Sequence, residues 1–171
     1  RYGAAGNLVG IDAIRAFRFV RCGFDAATVM ARLVYAFDDG PELVETVTLP
    51  GAPFELDAAR ADAAERALRL LHLIAGVSYY KAAVPAEIRI DGYAIDAATA
   101  TLLETVYLNG LGEFAYRNGL DLRGRIRFPR ADDAAVPAPG LDLREHALVA
   151  IGGGKDSLVS IEALRSAGIE Q

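Results

Sequence analysis

The sequence predicts an α+β N-terminal domain, an antiparallel meander packed by two long helices, followed by the first βα unit of an α/β phosphate-loop domain. Three observations carry this. Between Phe17 and Leu49 apolar residues alternate with polar ones in three short stretches separated by turn signals. Two later stretches, from Ala58 and from Ala97, place apolar residues at helical spacing. Near the C-terminus the apolar run Ala147–Ile151 breaks at Gly152, Gly153 and Gly154 and leads into a third helical pattern.

The first strand is expected around Phe17 and Phe19, reaching back to Ile14, with Arg18 and Arg21 on its other face and Cys22–Asp25 as its turn. Residues 1–13 are small and glycine- and alanine-rich and read as a loosely ordered lead-in. Val29–Phe37 alternates as a second strand. Asp38-Asp-Gly-Pro41 is a hairpin turn, and Glu42–Leu49 alternates as the third strand. Asp57 is placed to cap a helix from Ala58 to about Ala75, with Ala61, Ala64, Leu68, Leu71 and Ala75 as its inward stripe, widened by Leu70 and Ile74. His72 lies near that stripe and reads as a packed or partly exposed histidine.

Two readings stand for Gly76-Val-Ser-Tyr-Tyr-Lys-Ala-Ala83. It either continues the helix with amphipathic side chains reaching solvent, or forms a substrate-facing corner that offers phenols and an ammonium to an anionic ligand. Pro85–Ile90 is a short strand, Asp91-Gly92 a turn, and Tyr93–Ile95 a segment that pairs back. Asp96 caps a second helix, Ala97 to roughly Tyr116, weakened by Gly110 and Gly112. Arg125–Phe128 reads as one more strand. On this reading the first domain spans 14–128, a proline-bearing linker 129–144, and the start of the second domain 145–171.

Composition narrows the function. The chain has 171 residues and a formal charge of -5, which leaves no basic footprint for nucleic acid. One cysteine, Cys22, excludes an intrachain disulfide, and with only two histidines a structural metal site is not expected. No apolar run reaches membrane-spanning length and no signal-peptide pattern opens the chain, so a cytoplasmic protein without a membrane partner is expected.

The chemistry concentrates at Gly152-Gly-Gly-Lys-Asp-Ser157. A strand, a glycine turn and a helix start aim backbone N–H groups and the positive end of the helix dipole outward, which suits phosphate. A Walker A loop fails, because Gly154-Lys155 is followed by Asp156 and the position five before Gly154 is Val149. A dinucleotide loop fails too, because Ser157 stands where its third glycine belongs. What remains resembles the PP-loop of the ATP pyrophosphatase superfamily, Ser-Gly-Gly-x-Asp-Ser, with Gly152 in place of the first serine. A lone βα unit cannot satisfy its own sheet edges, so the polypeptide is expected to continue past Gln171 with further βα units.

Several stretches together resemble one family: Arg21-Cys-Gly-Phe24, Leu33-Val-Tyr-Ala-Phe37, Ile74-Ala-Gly-Val-Ser-Tyr-Tyr-Lys81, Leu108-Asn-Gly-Leu-Gly-Glu-Phe114 and Gly152–Leu158. They are similar to the MurL family, the UDP-N-acetyl-α-D-muramoyl-L-alanyl-L-glutamate epimerases of peptidoglycan synthesis. The resemblance implies an enzyme that consumes ATP with Mg²⁺ and acts on UDP-MurNAc-L-Ala-L-Glu. It implies nucleotide contacts from Gly152, Gly153, Gly154, Lys155, Asp156 and Ser157, with Asp156 as a ligand for Mg²⁺. For proton transfer the candidates are Lys81 and Tyr80, an amine and a phenol beside apolar surface. Two other readings remain at this stage: another PP-loop adenylating enzyme, amide-forming or tRNA-modifying, and a non-catalytic nucleotide- or substrate-binding module.

Overall fold

The computed structural model describes residues 13–51, 55–131, 137 and 140–171. Residues 1–12 of the glycine-rich lead-in, Ala52 and Pro53 of the Pro50–Pro53 turn and part of the proline-bearing linker lie outside the described residues. The chain divides into two compact units between Pro139 and Gly140.

The first unit is built on a four-stranded mixed sheet of β1 (Ala16–Asp25), β2 (Met30–Phe37), β3 (Leu43–Thr48) and β4 (Glu87–Ile90), in the order β3-β2-β1-β4. The three-stranded antiparallel meander is present, and β4 extends it by pairing parallel to β1. One expectation fails at Cys22–Asp25, which continues β1 rather than turning. The turn comes four residues later, held by Asp25, whose carboxylate accepts from the Ala27 N–H at 2.9 Å and the Thr28 hydroxyl at 2.8 Å.

The register explains how β1 keeps one apolar face along its length. Phe17 pairs with Phe37, Phe19 with Tyr35, Cys22 with Leu33 and Phe24 with Ala31. Even spacing would put Cys22 on the opposite face from Phe19, since side chains alternate with period two. An irregularity between Phe19 and Arg21 restores the match.

Helix α1 (Ala58–Ala75) starts where the sequence places it, with the Asp57 carboxylate accepting the Arg60 N–H at 2.8 Å. Its inward line differs from the predicted stripe. Ala61 and Ala64 are exposed and Leu71 is 42% exposed, whereas His72 and Leu73 are buried. Hydrogen bonding sets this rotation: the Tyr35 hydroxyl donates to the His72 carbonyl at 2.9 Å and the Tyr107 hydroxyl to that of Leu73 at 2.6 Å. Two buried phenols need acceptors, and the helix supplies them only when this side faces the sheet.

The short helix α2 (Val77–Tyr80) follows at Gly76, where a Cβ would collide with Phe19 Cε1 and lie 2.9 Å from Cζ of the same ring and 3.1 Å from the Tyr107 hydroxyl. Only glycine permits that approach. Tyr93–Ile95 does not pair as a strand; it is a loop between β4 and α3 (Ala97–Gly110). The second predicted helix is broken at Leu111 into α3 and α4 (Gly112–Asn118), between its two interior glycines. Arg125–Phe128 is not a strand. The Phe128 N–H goes instead to the Glu104 carboxylate on α3 at 3.1 Å, which pins Ile126 and Phe128 into the core. Phe17, Phe19, Tyr35, Leu73, Tyr80, Leu103, Tyr107 and Phe128 form one contiguous core, each burial stabilising by about 1.5–3 kcal/mol.

The second unit holds α5 (Lys155–Ser166). The predicted strand Ala147–Ile151 is not formed, and Leu148 is fully exposed. One parallel bridge joins His146 to Glu170, with the Ala147 N–H donating to the Glu170 carbonyl at 2.8 Å. A strand needs a ladder beside it, and one bridge is too little to make one. No helix among the described residues is long and apolar enough to cross a membrane.

Candidate functional site

The glycine loop leads into α5 as the motif predicts. Gly153 has φ +79°, a left-handed conformation that an L side chain resists, and Gly154 is the N-cap with an extended backbone. No side chain caps α5. Its first-turn N–H groups therefore have no side-chain acceptor at the end of the dipole that favours anions. Asp57 and Asp96 fill that role in α1 and α3, the two other long helices, whereas the short helices α2 and α4 also start without a side-chain cap.

The Gly152 N–H donates to Ser157 Oγ at 3.1 Å, which closes the loop over five residues. The Ser157 hydroxyl keeps its own hydrogen for another acceptor. Lys155 and Asp156 are exposed on the first turn. Nothing lies within 4 Å of a Cβ built at Gly152 or Gly154, so close packing within the described residues does not account for glycine at these two positions. The structure thus brings together Gly152, Gly153, Gly154, Lys155, Asp156 and Ser157. Among the described residues no group of three or more His, Cys, Asp or Glu side chains could hold a metal ion. A single exposed carboxylate at Asp156 fits Mg²⁺ in the form that shares its coordination with phosphate oxygens and water.

Lys81 and Tyr80 lie in the first unit and part company there. Tyr80 is fully buried and its hydroxyl donates to the Pro85 carbonyl at 3.2 Å. Burial pushes its pKa up, which holds it as a neutral phenol. Lys81 is exposed at the end of α2. The corner takes the first of its two readings: it is helical, and its outer side chains Ser78 and Lys81 face solvent. It is also firmly held, since Gly76 packs on Phe19, Tyr80 is anchored in the core, and Val84 adopts φ +48° just before Pro85. A β-branched residue there is strained by about 1–3 kcal/mol.

One polar pair at this corner escaped the sequence reading. The Tyr79 hydroxyl donates to Glu45 Oε2 at 2.7 Å, and its ring stacks on Tyr35 with centroids 4.8 Å apart. The carboxylate raises the Tyr79 pKa by accepting its proton's hydrogen bond. The signal was a charged residue at Glu45 among the apolar alternation Leu43, Glu45, Val47. Inward-pointing charge on an edge strand also blocks edge-to-edge pairing.

These features define an α+β domain followed in the chain by a glycine-loop helix unit whose helix starts without a side-chain cap. The chain belongs to the MurL family: the model of the MurL N-terminal domain matches residues 10–171. It is 71% identical over 158 residues to the UDP-N-acetyl-alpha-D-muramoyl-L-alanyl-L-glutamate epimerase of Xanthomonas oryzae pv. oryzae (strain MAFF 311018), covering 92% of this chain and 35% of that protein. Proteins of the same name from Salinispora tropica and Micromonospora sp. are each 40% identical over 91% of this chain and 35% of their own length. The chain therefore spans about a third of the length of these curated relatives. No solved structure matches it.

Proposed function

We propose that this chain is the N-terminal part of a PP-loop, ATP-dependent epimerase that inverts the terminal L-Glu of UDP-MurNAc-L-Ala-L-Glu in cytoplasmic peptidoglycan synthesis. The single observation that carries the ATP step is the uncapped start of α5 behind Gly153 and Gly154. The substrate comes from the name shared by the relatives.

The chemistry has a clear reason to use ATP. Removing the Cα proton of a glutamate whose α-carboxylate is ionised builds a second negative charge beside the first. Attack of that carboxylate on the α-phosphorus of ATP forms an acyl-adenylate and releases pyrophosphate. The acyl group is then a better electron sink, and the Cα–H becomes far more acidic. A base removes the proton from one face, an acid returns one to the other, and water releases AMP and the D-Glu product.

In this chain the backbone N–H groups of Gly153, Gly154 and the first turn of α5 would receive phosphate oxygens. Lys155 would offset charge building on the leaving pyrophosphate, and Ser157 would donate to phosphate while its Oγ holds Gly152. Asp156 would hold Mg²⁺, which when bound neutralises phosphate charge. Of the two proton-transfer candidates, Lys81 is the one with a side chain free to meet substrate, and Tyr80 supports it from the core.

The experiment is product analysis on the full-length protein with ATP, Mg²⁺ and UDP-MurNAc-L-Ala-L-Glu. Pyrophosphate, AMP and a dipeptide of unchanged mass with inverted glutamate are expected. A product of altered mass would show ligation or another transfer, and turnover without ATP would overturn the adenylation step.

A further inference from the structure

The N-terminal half of α1 is turned inside out. Ala61, Ala64, Ala67 and Leu71 are exposed, while Asp62, Arg66 and Arg69 are half-buried. A surface helix ordinarily does the reverse and turns its apolar stripe inward. The reversal has a local cause. This side of α1 walls a cleft of about 300 Å³, faced by Tyr93–Asp96 and Thr99, with Leu73 buried beneath it and the more exposed Leu70 at its edge. Charged side chains are accommodated against such a cleft and would be costly against a closed apolar core.

The wall opposite α1 is held in place before any ligand arrives. His72 Nε2 lies 3.0 Å from the Val34 carbonyl oxygen and so carries the ring hydrogen, which leaves Nδ1 to accept from the Tyr93 hydroxyl at 3.0 Å. The Arg69 guanidinium sits 5.2 Å from the centroid of the Tyr93 ring. The Ala131 N–H donates to the Ile95 carbonyl at 3.0 Å. A ligand entering here meets a wall that needs little further ordering.

The lining decides the class of ligand. Asp62 and Asp96 bring acceptors, Arg66 and Arg69 bring donors, and Leu70 and Leu73 bring apolar surface. Two carboxylates beside two guanidiniums select neither an anion nor a cation. They suit an uncharged ring whose hydroxyls and amide both give and take hydrogen bonds. The contacts already present compete weakly, since Arg66 with Asp62 and Arg69 with Glu65 are partly exposed pairs four residues apart on one helix. Asp96 is held at the helix start, where it accepts the Thr99 N–H at 2.7 Å. Resting on the epimerase reading above, we propose that this cleft seats one of the two hydroxyl-bearing rings of UDP-MurNAc-L-Ala-L-Glu, the N-acetylated hexose or the uridine. Each combines hydroxyls with an amide, and that shared chemistry is what the lining recognises. The cleft stands at the small end of the roughly 300–1,000 Å³ of ligand sites, so one ring fills it and the rest of the substrate extends outside.

The test is backbone NMR of the full-length protein without ATP. It is titrated with UDP-MurNAc-L-Ala-L-Glu, and separately with uridine and with N-acetylglucosamine as neutral stand-ins for the two rings. The amides of Tyr93, Ala94, Ile95 and Thr99 should shift with the whole substrate and with one of the two rings, which names the end that sits there. In Leu70→Trp, whose indole fills the cleft from an already exposed position, those shifts should vanish. Its KM for UDP-MurNAc-L-Ala-L-Glu should rise by about tenfold or more, with the KM for ATP and the melting temperature near wild type. If that variant fails to fold, Asp62→Asn takes its place and should raise the same KM by about threefold. Silent amides with the whole substrate, shifts that neither ring reproduces, or an unchanged KM would each overturn the assignment. The binding arm needs no turnover. Epimerisation by a wild type whose amides stay silent would sink the cleft alone, whereas shifted amides without epimerisation would sink only the epimerase reading.

Discussion

Ser157 Oγ accepts the backbone N–H of Gly152 from five residues away, at 3.1 Å, across the three-glycine turn. That bond holds the loop in the shape that leaves the start of α5 open. Ser157→Ala removes it together with a phosphate donor. Pyrophosphate release by the full-length protein should fall by about 10²-fold, the usual effect of losing one preorganised donor. Thermal stability should change by no more than about 0.5 kcal/mol, because the loop lies at the surface. A large loss of stability would mean that the serine is structural.

Gly76→Ala probes the packing beneath the Lys81 corner. The added methyl meets Phe19 and the Tyr107 hydroxyl, both buried and neither able to withdraw freely. Overpacking of this kind costs about 1–3 kcal/mol. Calorimetry should show a clear drop in melting temperature.

Val29→Gly should act in the opposite direction. Val29 has φ +50° at the end of the β1–β2 turn, where a β-branched residue is strained. Glycine relieves that strain at some entropic cost in the unfolded chain, so a net gain of up to about 1 kcal/mol is expected in denaturant unfolding.

Stability should also depend on His72 through pH. Burial holds its pKa below the unfolded value, so the folded state binds fewer protons than the unfolded chain between the two values. The contribution is complete above about pH 6.5 and is lost as pH falls from there through the folded-state value. Denaturant unfolding of wild type and His72→Gln across that window should converge as pH falls. Parallel curves would show that His72 does not titrate with folding.

The meander, both long helix starts and the glycine loop were legible because their signals are local: alternation, Asp57 and Asp96 caps, and Gly153 in a turn. The inward face of α1 was not, because its rotation depends on where Tyr35 and Tyr107 find acceptors, and both lie far away in sequence. Arg125–Phe128 has the composition of a strand, yet its N–H partner is a glutamate on a helix. The strand before the glycine loop has the right residues, but a strand is a property of the pair. The Tyr79–Glu45 bond was partly visible as one misplaced charge; the His72–Tyr93 bond was not visible at all. Roles in catalysis are harder still, since Tyr80 and Lys81 are neighbours in sequence and differ completely in exposure.

The most direct test of the central claim follows solvent deuterium into the glutamyl Cα. The full-length protein is incubated in D₂O with UDP-MurNAc-L-Ala-L-Glu and Mg²⁺, with and without ATP. Deuterium at Cα that appears only with ATP, in step with pyrophosphate release and lost in Lys155→Ala, is the predicted result. Exchange that proceeds equally without ATP, or pyrophosphate release with no Cα exchange, would contradict it.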